Sequence, residues 1–171
     1  MKHIQFGSIL NVDHGIIVHG CNAQGVMGAG VALQIKNKWP KSFEDYANFT
    51  NGVFNNHVSL GRQLLTPAQT MAFKQSVMGR VVDTVISEKL VISSAITQFD
   101  YGNTGAKHTN YQAVFEAFEH ILDLAKETRL PVHYPLIGAG LGGGNWAIIS
   151  EIIDTVFQFH PEIHRTLWLI D

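Results

Sequence analysis

One cysteine, Cys21, is all the sequence contains, which excludes an intramolecular disulfide and any zinc site built on several thiolates. That scarcity suits a reducing compartment, and the expected location is cytoplasmic. Long apolar runs are missing too. No uninterrupted stretch approaches the ~20 residues of a membrane span, and MKHIQFGSIL has no apolar signal core, so no membrane role is expected. Charge is thin, at 15% of residues, and nearly balanced, with a net of -2. Such a chain has no long-range field to gather polyanions, so general nucleic-acid binding is not expected, although a small anion can still be held locally. The nine histidines include neither HExxH nor a close pair at metal-ligand spacing. No metal and no cofactor are expected.

What is present is ordinary core chemistry. The 171 residues, 46% of them hydrophobic, suffice for one domain with a substantial interior. HIQF and GIIVHG read as short buried strands, and Met27, Val31, Ile35 and Trp39 recur every fourth position as one helical stripe. Pro40 ends that helix. Tyr46 to His57, rich in Asn and Gly, reads as a polar excursion, followed by strand candidates at 60–65, 80–86 and 90–96. After the loop TQFDYGNTGAKHTN comes the clearest helix, with Tyr111, Val114, Phe115, Phe118, Leu122 and Ala125 on its apolar face and Thr109 or Asn110 as N-cap. LPVHYPLI is a strand, GAGLGGG a loop, Trp146 to Phe157 a second amphipathic helix and RTLWLI a closing strand. Strands alternating with helices predict an α/β domain, a mixed and largely parallel sheet flanked by helices.

Two glycine-rich segments, GCNAQGVMGAGVA at 20–32 and GAGLGGG at 138–144, each follow a strand and precede a helix. In a parallel sheet both lie at the carboxyl edge, where such folds bind ligands. The first N–H groups of a helix lack intrahelical acceptors and carry the positive end of the macrodipole, and glycine allows close approach. Together the two loops predict a pyrophosphate clamp made without Lys or Arg. The first lacks the Gly-Lys-Ser/Thr ending of a P-loop, and no acidic residue closes a strand about 20 residues after Gly25, which disfavours nucleoside-triphosphatase and hydride-transfer chemistry.

GSIL after the first strand, IIVHGCNAQGVMGAGVALQIKNKWP and PLIGAGLGGGNW resemble the three ligand-binding stretches of macrodomains, in the branch of ADP-ribose 1''-phosphate phosphatases and small ADP-ribosyl hydrolases. The likeness runs nearly end to end and implies that residues 1–171 form a single three-layer α/β/α macrodomain with ADP-ribose across its carboxyl edge. In that picture Gly7, Ser8 and Ile9 meet adenine, and Gly20, Cys21 and Asn22 line the distal ribose side. Met27, Gly28, Ala29, Gly30, Val31 and Ala32 cover a phosphate, while Ile137, Gly138, Ala139, Gly140, Leu141, Gly142 and Gly143 wrap the pyrophosphate and distal ribose. Ser8 departs from the aspartate many macrodomains carry there. Gly142 stands where the deacylating hydrolases resembled here carry a catalytic aspartate, although Lys107 lies near the matching lysine.

For chemistry at the distal ribose, His19 and Asn22 are the candidate catalytic residues. His19 has a reference pKa near ~6.5, suited to acid-base work, and phosphatases of the resembled branch carry a similar histidine; the alternative is a buried strand-end histidine bonded to backbone. Asn22 either orients ribose hydroxyls or water, or stabilises its turn. Cys21 reads as an apolar filler. Asp13 and His14 read as exposed turn residues, and Asp100 and Tyr101 as loop residues within reach of the cleft. Trp39, Trp146 and Trp168 read as core. The resemblance points first to phosphate removal from ADP-ribose 1''-phosphate. Removal of ADP-ribose from protein or nucleic acid comes next, and non-catalytic recognition of ADP-ribose third. The expected partners are ADP-ribose or its 1''-phosphate and ADP-ribosylated macromolecules.

Overall fold

The computed structural model describes residues 2–59, 66–102 and 107–170, with the side chains of 51–59 left undescribed. In chain order the elements are β1 (Lys2–Phe6), β2 (Gly15–Asn22), α1 (Gly30–Lys38), α2 (Pro40–Ser59), α3 (Pro67–Ser76), β3 (Val81–Ser87), β4 (Leu90–Gln98), α4 (Tyr111–Thr128), β5 (Val132–Tyr134), α5 (Trp146–Phe157) and β6 (Arg165–Leu169). The strands form one sheet in the order β1-β6-β5-β2-β4-β3. Five run parallel, and β3 alone is antiparallel, as the outer arm of a hairpin with β4.

Central β2 and β4 are buried along nearly their whole length, as strands covered on both faces must be. Ile16 and Val18 point into a core shared with Val114, Phe118, Ile149 and Ile153 of α4 and α5. Their neighbour Ile17 points the other way, to Ile35 of α1, and Cys21 meets Met27 and Tyr46 of α2. The period-2 alternation of β2 therefore feeds both outer layers of a three-layer α/β/α domain. Among the described residues, no helix is long and apolar enough to cross a membrane.

Two helices depart from the sequence reading. The supposed polar excursion at 46–57 is helical, because α2 runs from Pro40 to Ser59. Its Asn and Gly residues are poor helix formers, yet Ser42, Tyr46 and Thr50 are buried on one side, and packing on the sheet overrides propensity. Pro40 ends α1 and also opens α2, where its missing N–H costs nothing. Helix α3 has no apolar periodicity to mark it, but its start is signalled: Thr66 and Gln69 exchange side-chain to backbone hydrogen bonds in a capping box, with Pro67 following Thr66. The strand candidate at 60–65 lies outside the described residues. At α4 the choice of cap is resolved in favour of Asn110, whose side chain accepts from the Ala113 N–H at 3.0 Å.

Candidate functional site

The parallel strands deliver their carboxyl ends to one cavity of about 790 Å³, walled by Phe6 at the end of β1, Asn22 at the end of β2, Gln98 at the end of β4, Pro135 after β5 and Leu169 of β6. This volume falls in the range of ligand clefts. Gly28–Ala32 and Ile137–Gly142 form further parts of its wall. The two glycine loops face one another, since a Cβ added at Gly30 would lie 3.6 Å from the Leu141 side chain.

Each loop leaves main-chain donors unused. In the second, Ala139, Gly143 and Gly144 give their N–H groups to Leu136, Gly140 and Gly138, whereas those of Gly140, Leu141 and Gly142 take no partner among the described residues. In the first, Leu33 is the earliest α1 residue bonded back, to Ala29, which leaves the Gly30, Val31 and Ala32 N–H groups free at the helix start. Gly30 and Gly138, with φ of +58° and +75°, take left-handed dihedrals that glycine adopts without steric penalty. No wall residue is charged among those described. An anion here would be held by backbone dipoles and a helix N-terminus.

Below this surface the side chains are committed to each other. Asn22 is 5% exposed. Its Oδ1 accepts from the N–H groups of Gln24 (2.9 Å) and Val26 (3.2 Å) and from the Tyr46 hydroxyl (3.1 Å), and its Nδ2 donates to Val26 O at 2.6 Å. It is a staple for the turn that carries the first glycine loop. Gln24 continues the bracing, donating to Phe99 O while accepting from Lys74 of α3. Cys21 touches the cleft floor, and burial pushes its thiol well above the usual range, so the unreactive thiol form persists.

His19, the candidate for acid-base work, sits beneath the cleft rather than in its wall. The residue is 1% exposed, does not line the cleft, and pairs with Ser94 Oγ at 3.0 Å. Burial holds its pKa down to about 4, leaving a neutral ring beneath the sheet edge. The strand's alternation turns the histidine toward the α2 side, and Gly20 toward Ile137 of the second loop.

The other expected ligand residues divide. Gly20, Cys21, Asn22, Gly28, Ala29, Gly30, Val31, Ala32, Ile137, Gly138, Ala139, Gly140, Leu141 and Gly142 line the cavity. Gly7, Ser8, Ile9, Met27 and Gly143 do not. Ser8 caps a short 3-10 turn by accepting from Leu10 N–H at 3.3 Å, Ile9 is buried beside Ile17, and Met27 packs under the first loop. Gly143 closes the turn onto Gly140. The end of the cavity nearest β1 is instead walled by Phe6, Trp168, Leu169 and Ile170, and the opposite end by Gln98, Tyr101 and Gly102. Apart from Tyr101, none of these was signalled as a site residue, because each follows or ends a strand whose neighbours are distant in sequence.

Gly142 has no room for a side chain. A Cβ there would overlap Thr109 Oγ1 and lie 2.8 Å from Gly138 O. Lys107 stands outside the wall, its ammonium 4.2 Å from the centre of the Tyr111 ring. A lysine-and-aspartate pair is therefore not assembled in the cleft. Asp13 and His14 are exposed. Among the described residues no group of three or more His, Cys, Asp or Glu is arranged to hold a metal.

The sheet carries two glycine loops facing a cleft at its carboxyl edge, and the family model for the macro domain matches residues 18–153. The chain belongs to the macro domain family. It is 29% identical over 141 residues to a 17.5 kDa protein of Enterobacteria phage T4, covering 81% of this chain and 77% of the relative. To the DNA ADP-ribosyl glycohydrolase of Mycobacterium tuberculosis it is 21% identical over 166 residues, 95% of this chain and 40% of that protein. Among solved structures, the macrodomain of Mycobacterium tuberculosis DarG superposes with a TM-score of 0.73 at 19% identity, covering 98% and 97% of the two chains. Thermosipho africanus DarTG in complex with ADP-ribose gives 0.66 at 14% identity, with 99% and 42% covered.

Proposed function

We propose that the cleft binds the ADP-ribose unit of an ADP-ribosylated macromolecule and that the protein hydrolyses the bond joining its distal ribose to that macromolecule. The observation that carries this reading is the pair of facing loops with unpaired N–H groups at Gly30–Ala32 and Gly140–Gly142. Those donors match a diphosphate, and among the described residues no cationic side chain stands in the wall. Adenosine would lie toward Phe6 and Trp168, and the distal ribose toward Gln98 and Tyr101. In the reaction water adds to the anomeric carbon, the bond to the macromolecule breaks, and the departing group takes the proton. With no ionised side chain in the described wall, the ligand's own phosphate oxygen would orient the water, and the backbone donors would hold that phosphate in place. The likeness to the DNA ADP-ribosyl glycohydrolase of Mycobacterium tuberculosis supports this class.

Phosphate removal from ADP-ribose 1''-phosphate ranks behind this reading, because the histidine assigned to its proton transfers is sealed from the cleft. Calorimetry with ADP-ribose, followed by incubation with ADP-ribosylated DNA, ADP-ribosylated protein and ADP-ribose 1''-phosphate, tests the proposal. Binding and release of free ADP-ribose from one of the macromolecules are expected. Binding without release overturns hydrolysis and leaves recognition alone, phosphate release alone restores the phosphatase, and no binding overturns the assignment of the cleft.

A further inference from the structure

The second glycine loop is wrapped around a single side chain from another part of the chain. Thr109, 2% exposed and just before α4, sends its Oγ1 to the carbonyl oxygens of Gly138 at 2.8 Å and Gly142 at 3.1 Å. The N–H groups of His108 and Thr109 also donate to Gly142 O, at 2.9 and 3.0 Å. A Cβ at Gly138 would lie 2.8 Å from Thr109 Cγ2, one at Gly142 would overlap Oγ1, and one at Gly144 would lie 3.2 Å from Thr109 Cβ. Three glycines thus close on one threonine. Gly140, whose added Cβ would meet nothing within 4 Å, faces away from it and into the cleft.

We propose that Thr109 is the positioning residue of the anion-binding loop. Its hydroxyl, whose single proton is shared between the carbonyls of Gly138 and Gly142 with the shorter contact to Gly138, ties the two ends of the loop and so presents the Gly140, Leu141 and Gly142 N–H groups together toward the ligand. The inference rests on the cleft's reading as a diphosphate site and adds the residue that sets its geometry. Valine at 109 keeps the shape but places a methyl where the hydroxyl sits 2.8 Å from Gly138 O, closer than carbon and oxygen approach without a hydrogen bond. The loop must open. The fold itself tolerates the change, because Gly144 N–H still serves Gly138 O and two backbone donors still serve Gly142 O.

The test compares ADP-ribose affinity by calorimetry in wild type, Thr109→Val and Thr109→Ser, with amide NMR shifts of each free protein. T109V is expected to lose about tenfold in affinity and to shift the Gly140–Gly142 amides while leaving those of α1 in place, and T109S is expected to recover most of the loss. Equal binding by T109V and wild type overturns the proposal, as does a T109S variant as weak as T109V. If T109V does not fold, Thr109→Ala carries the comparison, and unchanged affinity in that variant overturns the proposal. A wild type that ignores ADP-ribose overturns the reading of the cleft instead, a result seen before any variant is made.

Discussion

At the scale of single residues, the cleft is defined by where side chains are absent. A Cβ at Gly140 has open space around it, and its φ lies outside the left-handed region, so Gly140→Val leaves the free protein intact and fills the space of the ligand. The expected result is a loss of ADP-ribose affinity on the order of 100-fold with a Tm within about 2 °C of wild type. Calorimetry and thermal melting check both. His19 supplies the complementary test. A general acid or base contributes on the order of 100-fold or more to rate, whereas a buried structural imidazole bonded to Ser94 contributes to stability. His19→Gln retains the bond to Ser94, and its rate of ADP-ribose release at pH 7 is expected within about threefold of wild type. A hundredfold drop in a folded variant would return His19 to the catalytic group.

At the scale of elements, legibility followed local periodicity. Helix α4 was readable because its buried residues recur at helical spacing, and its cap was narrowed to two adjacent residues. The structure gives them different tasks: Asn110 caps the helix and Thr109 holds the neighbouring loop. Asn110→Ala is expected to cost about 1 kcal/mol in urea unfolding, and no measurable change would mean that the cap is replaced by water. Helix α2 was not readable, since its local composition favours a loop and the stabilising contacts with the sheet come from distant strands on both sides in sequence, Asn22 of β2 bonding Tyr46 and Thr84 of β3 bonding Asp45. Helix α3 has no fully buried residue, so no apolar stripe announced it, although TPAQ spells its capping box.

At the scale of the whole molecule, three histidines set a pH dependence whose sign follows from their shifts. Burial lowers the pKa of His19 to about 4, against an unfolded value near ~6.5. As pH falls through that window the unfolded chain takes a proton that the folded protein refuses, so stability declines and levels off below about 4. The gap corresponds to on the order of 3 kcal/mol. His133, also lowered by burial, acts in the same direction. His120 acts oppositely: its hydrogen bond to Asp83 raises the pKa, giving a contribution that is complete below about 6.5 and lost as pH rises through the raised value. Urea unfolding of wild type and His19→Gln between pH 4.5 and 7 is expected to show a shallower acid loss in the variant. Parallel curves would mean that His19 takes up its proton in the folded state.

The sequence by itself determined the alternation of strands and helices, the glycine loops at two strand ends and the absence of a disulfide framework, because these depend on local periodicity and composition. The order of strands within the sheet, the confrontation of the two loops and the burial of His19 were decided only by tertiary structure. Pairings such as β1 with β6 join residues more than 160 positions apart, and the face to which each strand side chain turns acquires meaning only when a helix covers it.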